Sequence, residues 1–280
     1  MVFLAILIVY GVIQYGDGGR ALQHDQWFYR WSQWVTNLGL PGHELIVSFI
    51  VLVPVLALAL ALNIVAGISS WLLLVCAVPL LLYSLGRSEL STPIHEYVAA
   101  YRRNDNVAAT EIAISLGVEV DDDDGWWALH RGMLQAAGYL GFERLFAALF
   151  WFVLLGPVGA VLYRLLALTC ENQESSSELR HTAARALWLM EWPAVRVLGL
   201  SFALSGNFVG CFNHWREELL GYRRSTASVL ETAIHGALNV NSTDVTQEDI
   251  TEKELEALLP LLSRTMILWL CILAILTIVA

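Results

Sequence analysis

Charged residues are grouped along this chain rather than interspersed, and the gaps between the groups set its architecture. Between Glu44 and Arg87 lie 42 consecutive residues without Asp, Glu, Lys or Arg. As a single helix this run would extend roughly 63 Å, about twice the hydrocarbon thickness of a bilayer. It therefore predicts a hairpin of two helices, turning at Ala66-Gly67-Ile68-Ser69-Ser70, where Gly and Ser interrupt the Leu/Val/Ala run. A third uncharged block runs from Leu145 to Tyr163, bracketed by Arg144 and Arg164, whose long side chains can snorkel to the two interfaces. A fourth follows Arg264, from Thr265 to Ala280. The predicted spans are 45–65, 70–86, 145–163 and 265–280, with the C-terminus on the same side as loop 87–144.

Two weaker blocks flank these. Met1 to Gly16 is apolar but lacks the basic start and small-x-small site of a cleaved signal, so it reads as a retained helix that spans or lies at the interface. Val197 to Trp215 has no formal charge, but Ser201, Ser205, Asn207, Asn213 and His214 dilute it. It reads as a helix packed on protein or dipping into the interface.

The polar stretches are helical too. Segment 17–43 carries Trp27, Phe28, Tyr29, Trp31 and Trp34, which suits an interfacial aromatic belt ahead of the hairpin better than a ligand platform. Tyr97, Val98, Tyr101, Val107, Ala108, Ile112 and Leu116 recur at helical spacing in the first loop. Asp121 to Asp124 follow; consecutive carboxylates do not converge on one cation as alternating ligands do, so they read as a solvated turn capping the helix from Trp126. Residues 241–252 form an acidic entry to a helix ending at Pro260.

No strand pattern is compelling. The fold class is all-α, a polytopic integral membrane protein with about four transmembrane helices and helical extramembrane loops. We partition it as one membrane domain, 1–280: segment 1–43, hairpin 44–86, loop 87–144, span 145–163, loop 164–263 and span 264–280.

Composition agrees with this pattern and narrows the function. Of 280 residues, 57% are hydrophobic and 15% charged, against about 25% charged in a soluble domain. The net charge is −10. Loop 87–144 holds 5 basic and 10 acidic residues, and 164–264 holds 9 and 13. Neither resembles a nucleic-acid surface. The larger basic total assigns the second loop to the cytoplasm.

Cys76, Cys170, Cys211 and Cys271 have no metal or disulfide spacing and read as small apolar fillers. The seven histidines are dispersed. There is no Walker loop, His-Glu-x-x-His, Gly-x-Ser-x-Gly or Cys-x-x-Cys. No catalytic residue, metal site or cofactor is implied by motif, and the predicted spans carry none of the enclosed charges that mark a transport path.

One string is more specific. Residues 143–165, ERLFAALFWFVLLGPVGAVLYRL, resemble the AmpE proteins, which share a superfamily with the cobinamide synthases CbiB/CobD. YRRNDNVAA at 101–109, ALWLMEWPAVRVLGLSFALSGNF at 186–208 and SRTMILWL before the last span fit the same family in the same order. Pro193 departs from it, standing beside Trp192 rather than one position later. The resemblance implies a multi-pass bacterial inner-membrane protein tied to induction of chromosomal β-lactamase and to sensing of cell-wall recycling. It implies a sensory or signalling role acting by binding.

The same resemblance frames the alternative, a membrane-bound ATP-dependent amide ligase acting on another metabolite. Cobinamide synthases carry Glu-Asn where this chain has Tyr139 and Leu140, and Asn-Thr-Leu-Asp where it has Ala167, Leu168, Thr169 and Cys170. Their Asp-Asp-x-x-Asn run is replaced here by Ala186, Leu187 and Met190. A metal–nucleotide site needs such carboxylates and amides, so the frame remains without its polar set.

The polar residues left in the matching strings are Arg103, Asn104, Asp105, Glu143, Arg144, Arg164, Glu191 and Arg196. They read either as interfacial anchors and buried ion pairs or as one pocket for a polar small molecule or a partner's loop, where Arg grips a carboxylate bidentately. The expected partners are the lipid bilayer, a membrane or cytoplasmic signalling protein, and a polar small-molecule ligand.

Overall fold

The computed structural model describes residues 2–15, 24–39, 41–85, 90–120, 125–208, 225–238 and 247–279. The Asp121–Asp124 run, Cys211, Asn213, His214 and the 241–246 entry fall outside the described residues. Among those described, the chain is helical and no strand occurs. The helices are α1 (Val2–Tyr15), α2 (Gln26–Asn37), α3 (His43–Ile68), α4 (Ser70–Ser84), α5 (Ser91–Arg102) and α6 (Asn106–Ser115). They continue with α7 (Trp126–Gly141), α8 (Ala148–Leu155), α9 (Pro157–Glu171), α10 (Ser177–Ser205), α11 (Thr226–Leu238) and α12 (Gln247–Val279).

Contacts divide the chain into two compact units. Unit 1 comprises Met1–Arg87 and Arg144–Ala194; unit 2 comprises Ser88–Glu143 and Val195–Ala280.

Four helical segments are long and apolar enough to cross a bilayer: His43–Ile68, Trp126–Leu155, Ser177–Ser205 and Glu252–Val279. The number agrees with the sequence, but the membership does not. Segment 45–65 lies within the first, and the described part of 265–280, up to Val279, within the last. The hairpin turn is the single extended residue Ser69, whose hydroxyl accepts from Trp71 N at 3.3 Å. The α4 that follows has only 15 residues, about 22 Å.

Block 145–163 is divided. The helix from Trp126 passes through a π-helical turn, Phe142–Ala147, and stops at Gly156, whose φ of 71° suits a residue without Cβ. Pro157 then opens α9, a position where its missing N–H costs nothing. A Cβ on Gly159 would come within 2.5 Å of Trp151 O, so α9 turns back close against α8.

The fourth long apolar helix, α10, lies in what the sequence presented as loop. Even its most apolar stretch is less apolar than that of α3. Glu191 and Arg196 are buried within it, so its polar positions do not mark an aqueous loop.

Within unit 1, α1 packs on α4 through a face including Ala5, Ile6 and Val9, so the N-terminal apolar block forms a packed helix. Helix α2 is amphipathic: Phe28, Ser32 and Val35 are buried, Trp27 and Trp34 exposed, and the Trp31 indole donates to Ile50 O at 3.0 Å. Helix α9 packs on α3, α4 and α8 and buries nine of its fifteen residues. In unit 2, α7 packs against α6, α11 and α12, and α5 against α6 and α12. There the Ser205 and Thr265 hydroxyls meet at 2.7 Å, and the Trp269 indole donates to Ser201 Oγ at 2.8 Å.

Candidate functional site

The most chemically dense cluster of unit 2 joins α7, α11 and α12. On α7, Arg131 Nε donates to Glu231 Oε1 at 2.6 Å, while its guanidinium lies over the Trp127 ring at 5.4 Å from the centroid. Gln135, one turn on, reaches the other Glu231 oxygen at 3.4 Å. One turn beyond Glu231 on α11, His235 Nδ1 stands 2.9 Å from Glu254 Oε1 on α12, with Nε2 4.0 Å from Glu231.

Glu231 and Glu254 are buried, Arg131 and His235 partly exposed. The Glu254 Oε2 atom is buried without a hydrogen-bond partner. Burying two carboxylates is costly unless each is paired, and here one basic side chain serves each. The hydrogen bond to Glu254 holds the His235 imidazolium above its usual pKa, helped by the charge of both carboxylates. Desolvation and the nearby Arg131 charge act the other way.

A second polar set in unit 2 ties α5 to its neighbours. Arg102 bridges Glu252 and Glu256 on α12. The buried Tyr97 hydroxyl meets His130 Nδ1 at 2.6 Å, and burial raises the Tyr97 pKa.

In unit 1 the polar residues gather where α2, the start of α3, the end of α9 and the start of α10 meet. Arg164 donates to Asp25 at 3.3 Å, both side chains largely withdrawn from solvent. Gln33 donates to Glu174, and His43 stands 3.2 Å from Glu178. An open groove of about 410 Å³ lies there, lined by Tyr29 and polar side chains of α2 and by the turn from Glu171 to Glu174. Deeper in the unit, the Tyr163 hydroxyl donates to buried Glu191 at 3.2 Å.

The residues singled out from sequence occupy different settings. Arg103, Asn104 and Asp105 form the exposed turn between α5 and α6. Asn104 adopts φ 54°, and the Asp105 carboxylate caps α6 through Ala108 N at 3.1 Å. Arg196, in the same unit, is only 8% exposed. Arg164 belongs with Asp25 and Glu191 with Tyr163, both in unit 1. Glu143 and Arg144 stand in the π-helical turn, half-buried, and neither they nor Arg196 are unpartnered.

Sequence reasoning missed the Arg131–Glu231–His235–Glu254 network. Its one local signal was the four-residue spacing of Glu231 and His235; Arg131 lies 100 positions from Glu231. Among the described residues, no group of three or more His, Cys, Asp or Glu is placed to hold a metal.

Fold and polar clusters together define an all-α polytopic membrane protein with several ion pairs between its packed helices. The chain belongs to the AmpE family: the model of the regulatory signalling modulator protein AmpE matches residues 1–280. It is also similar to two proteins described as cobalamin biosynthesis protein CobD. The one from Chromobacterium violaceum is 30% identical over 115 residues, covering 40% of this chain and 37% of that protein. The one from Stutzerimonas stutzeri is 26% identical over 208 residues, covering 72% and 67%. The chain thus spans little more than a third of the first relative and about two thirds of the second. No solved structure matches it.

Proposed function

We propose that this protein is an inner-membrane sensory modulator in β-lactamase induction and cell-wall recycling, acting by binding rather than catalysis. Family membership supports this reading, and the Arg131–Glu231–His235–Glu254 network supplies its physical basis. Each buried carboxylate there is held by a partly exposed basic side chain. A polar ligand or a partner's loop that competes for Arg131 or His235 would leave a carboxylate uncompensated. Because Glu254 stands on α12, the disturbance would bear on a helix long enough to span the bilayer. The exposed Arg103–Asp105 turn, outside the long apolar helices, is the element offered to a signalling partner.

The test is induction by a β-lactam in the native host. Glu231→Gln, which leaves no buried charge unpaired, should shift the inducer concentration needed while leaving membrane abundance unchanged. Induction unaltered by deleting the gene would overturn the proposal.

A second reading, a membrane enzyme acting on another metabolite, draws on the similarity to the two CobD proteins. The substituted positions 139–140, 167–170 and 186–190 argue against cobinamide synthesis itself. Rescue of a synthase-deficient strain by this gene would establish the enzyme reading instead.

A further inference from the structure

The groove of unit 1 has a composition unlike its surroundings. Tyr29, Arg30 and Gln33 contribute one wall from α2; Glu171, Asn172 and Glu174 contribute the other. Seven of its eight lining residues are polar or charged, Tyr29 being the exception, although it adjoins the exposed Trp27 and Trp34 of the same helix. One guanidinium faces two carboxylates, so the wall is dipolar, with an excess of one negative charge.

Its depth relative to a bilayer follows from the chain. Helix α2 ends at Asn37, and the long apolar α3 begins six residues later at His43. Tryptophans exposed along an amphipathic helix favour the headgroup level. Glu171 ends the apolar α9, and the Gln33–Glu174 and His43–Glu178 contacts bring that turn and the start of α10 to the same end of the unit. The groove therefore opens at the height of lipid headgroups.

We infer that this groove binds the headgroup of a phosphatidylethanolamine-type lipid, a primary ammonium linked to a phosphate. The ammonium offers three N–H donors to Glu171, Glu174 and the Asn172 amide oxygen. The phosphate takes the Arg30 guanidinium and amide N–H groups, the charge-assisted geometry in which Arg excels. A choline headgroup has a cation but no N–H donor, so the carboxylates would be desolvated without a hydrogen bond. A glycerol headgroup adds a negative charge and brings no cation.

The test uses the full-length protein in nanodiscs. Copies of lipid retained after mild delipidation are read by native mass spectrometry, in bilayers mixing phosphatidylethanolamine with phosphatidylcholine or phosphatidylglycerol. Phosphatidylethanolamine should be retained preferentially. Arg30→Gln and Glu171→Gln, both at exposed positions, should each weaken retention about tenfold, the loss of one charge-assisted hydrogen bond. Unchanged helical circular dichroism would exclude misfolding of the variants. Equal retention of the three lipids would overturn the inference. So would soluble glycerophosphoethanolamine displacing the lipid at equal concentration, because the bilayer would then contribute nothing to the site.

Discussion

Helices α3 and α9 are neighbours in unit 1 and solve opposite problems. Helix α3 has 26 residues, six of them buried, and turns Leu56, Leu60 and Ile64 outward. Helix α9 buries nine of fifteen residues and carries Tyr163 and Arg164, each with a carboxylate partner elsewhere in the unit, Glu191 on α10 and Asp25 just before α2. Lipid is as apolar as leucine, so a lipid-facing position is constrained in polarity and scarcely in shape. A helix surrounded by protein is constrained in shape and can hold charge, provided the charge is paired.

The sharpest way to break this contrast is at Arg164. Arg164→Ala leaves Asp25 buried without its cation and is expected to cost about 3–5 kcal/mol, read from reversible unfolding in mixed micelles. Replacing both partners with leucine should recover most of that loss. If the double variant is as unstable as the single one, the pair is not what Arg164 contributes.

Leu165→Ala on α9, at a fully buried position, should cost about 2 kcal/mol. This is the low end of the large-to-small range, since packing is lost while lipid replaces water as the reference. Leu60→Ala on α3, where the side chain is 68% exposed, should fall within about 0.5 kcal/mol. Equal losses at the two sites would abolish the distinction between the helices.

The smallest effect is a pH dependence in unit 2, where His235 sits outside the long apolar helices. Its pKa is raised in the folded protein by the hydrogen bond to Glu254. Its stabilisation is therefore fully present below the unfolded value, about 6.5, and is lost as pH rises through the higher folded value. Because His235 is 41% exposed, solvent screens the interaction and the change should be slight. Unfolding midpoints of the native protein and His235→Gln, compared across that pH window, should converge on the alkaline side. Parallel curves would show that this imidazole does not titrate against Glu254.

The contrast also explains what the sequence revealed. Helix α3 was legible because every lipid-facing residue had to be apolar, leaving an unbroken run. Helix α10 was hidden because Glu191 and Arg196 are tolerated inside it, and charge reads as loop when partners cannot be seen. The break at Gly156-Pro157 was written in the chain as a helix stop followed by a helix start, but the apolar residues around it masked the signal. The candidate network was least visible: Glu231 and His235 share a helix face, while Arg131 and Glu254 reach them only through tertiary packing.

That break bears on the order in which the protein is assembled. The 30-residue segment before it, Trp126–Leu155, can settle in a bilayer as an independent anchor. Helix α9, at about 22 Å, is too short to do so alone. It depends on α3 and α4 already being in place to receive it, and on Asp25 to neutralise its charge. The expected late step in biogenesis is the docking of α9 onto a pre-inserted scaffold. Slowing the insertion of α3 and α4 should leave this segment exposed to membrane proteases at Gly156.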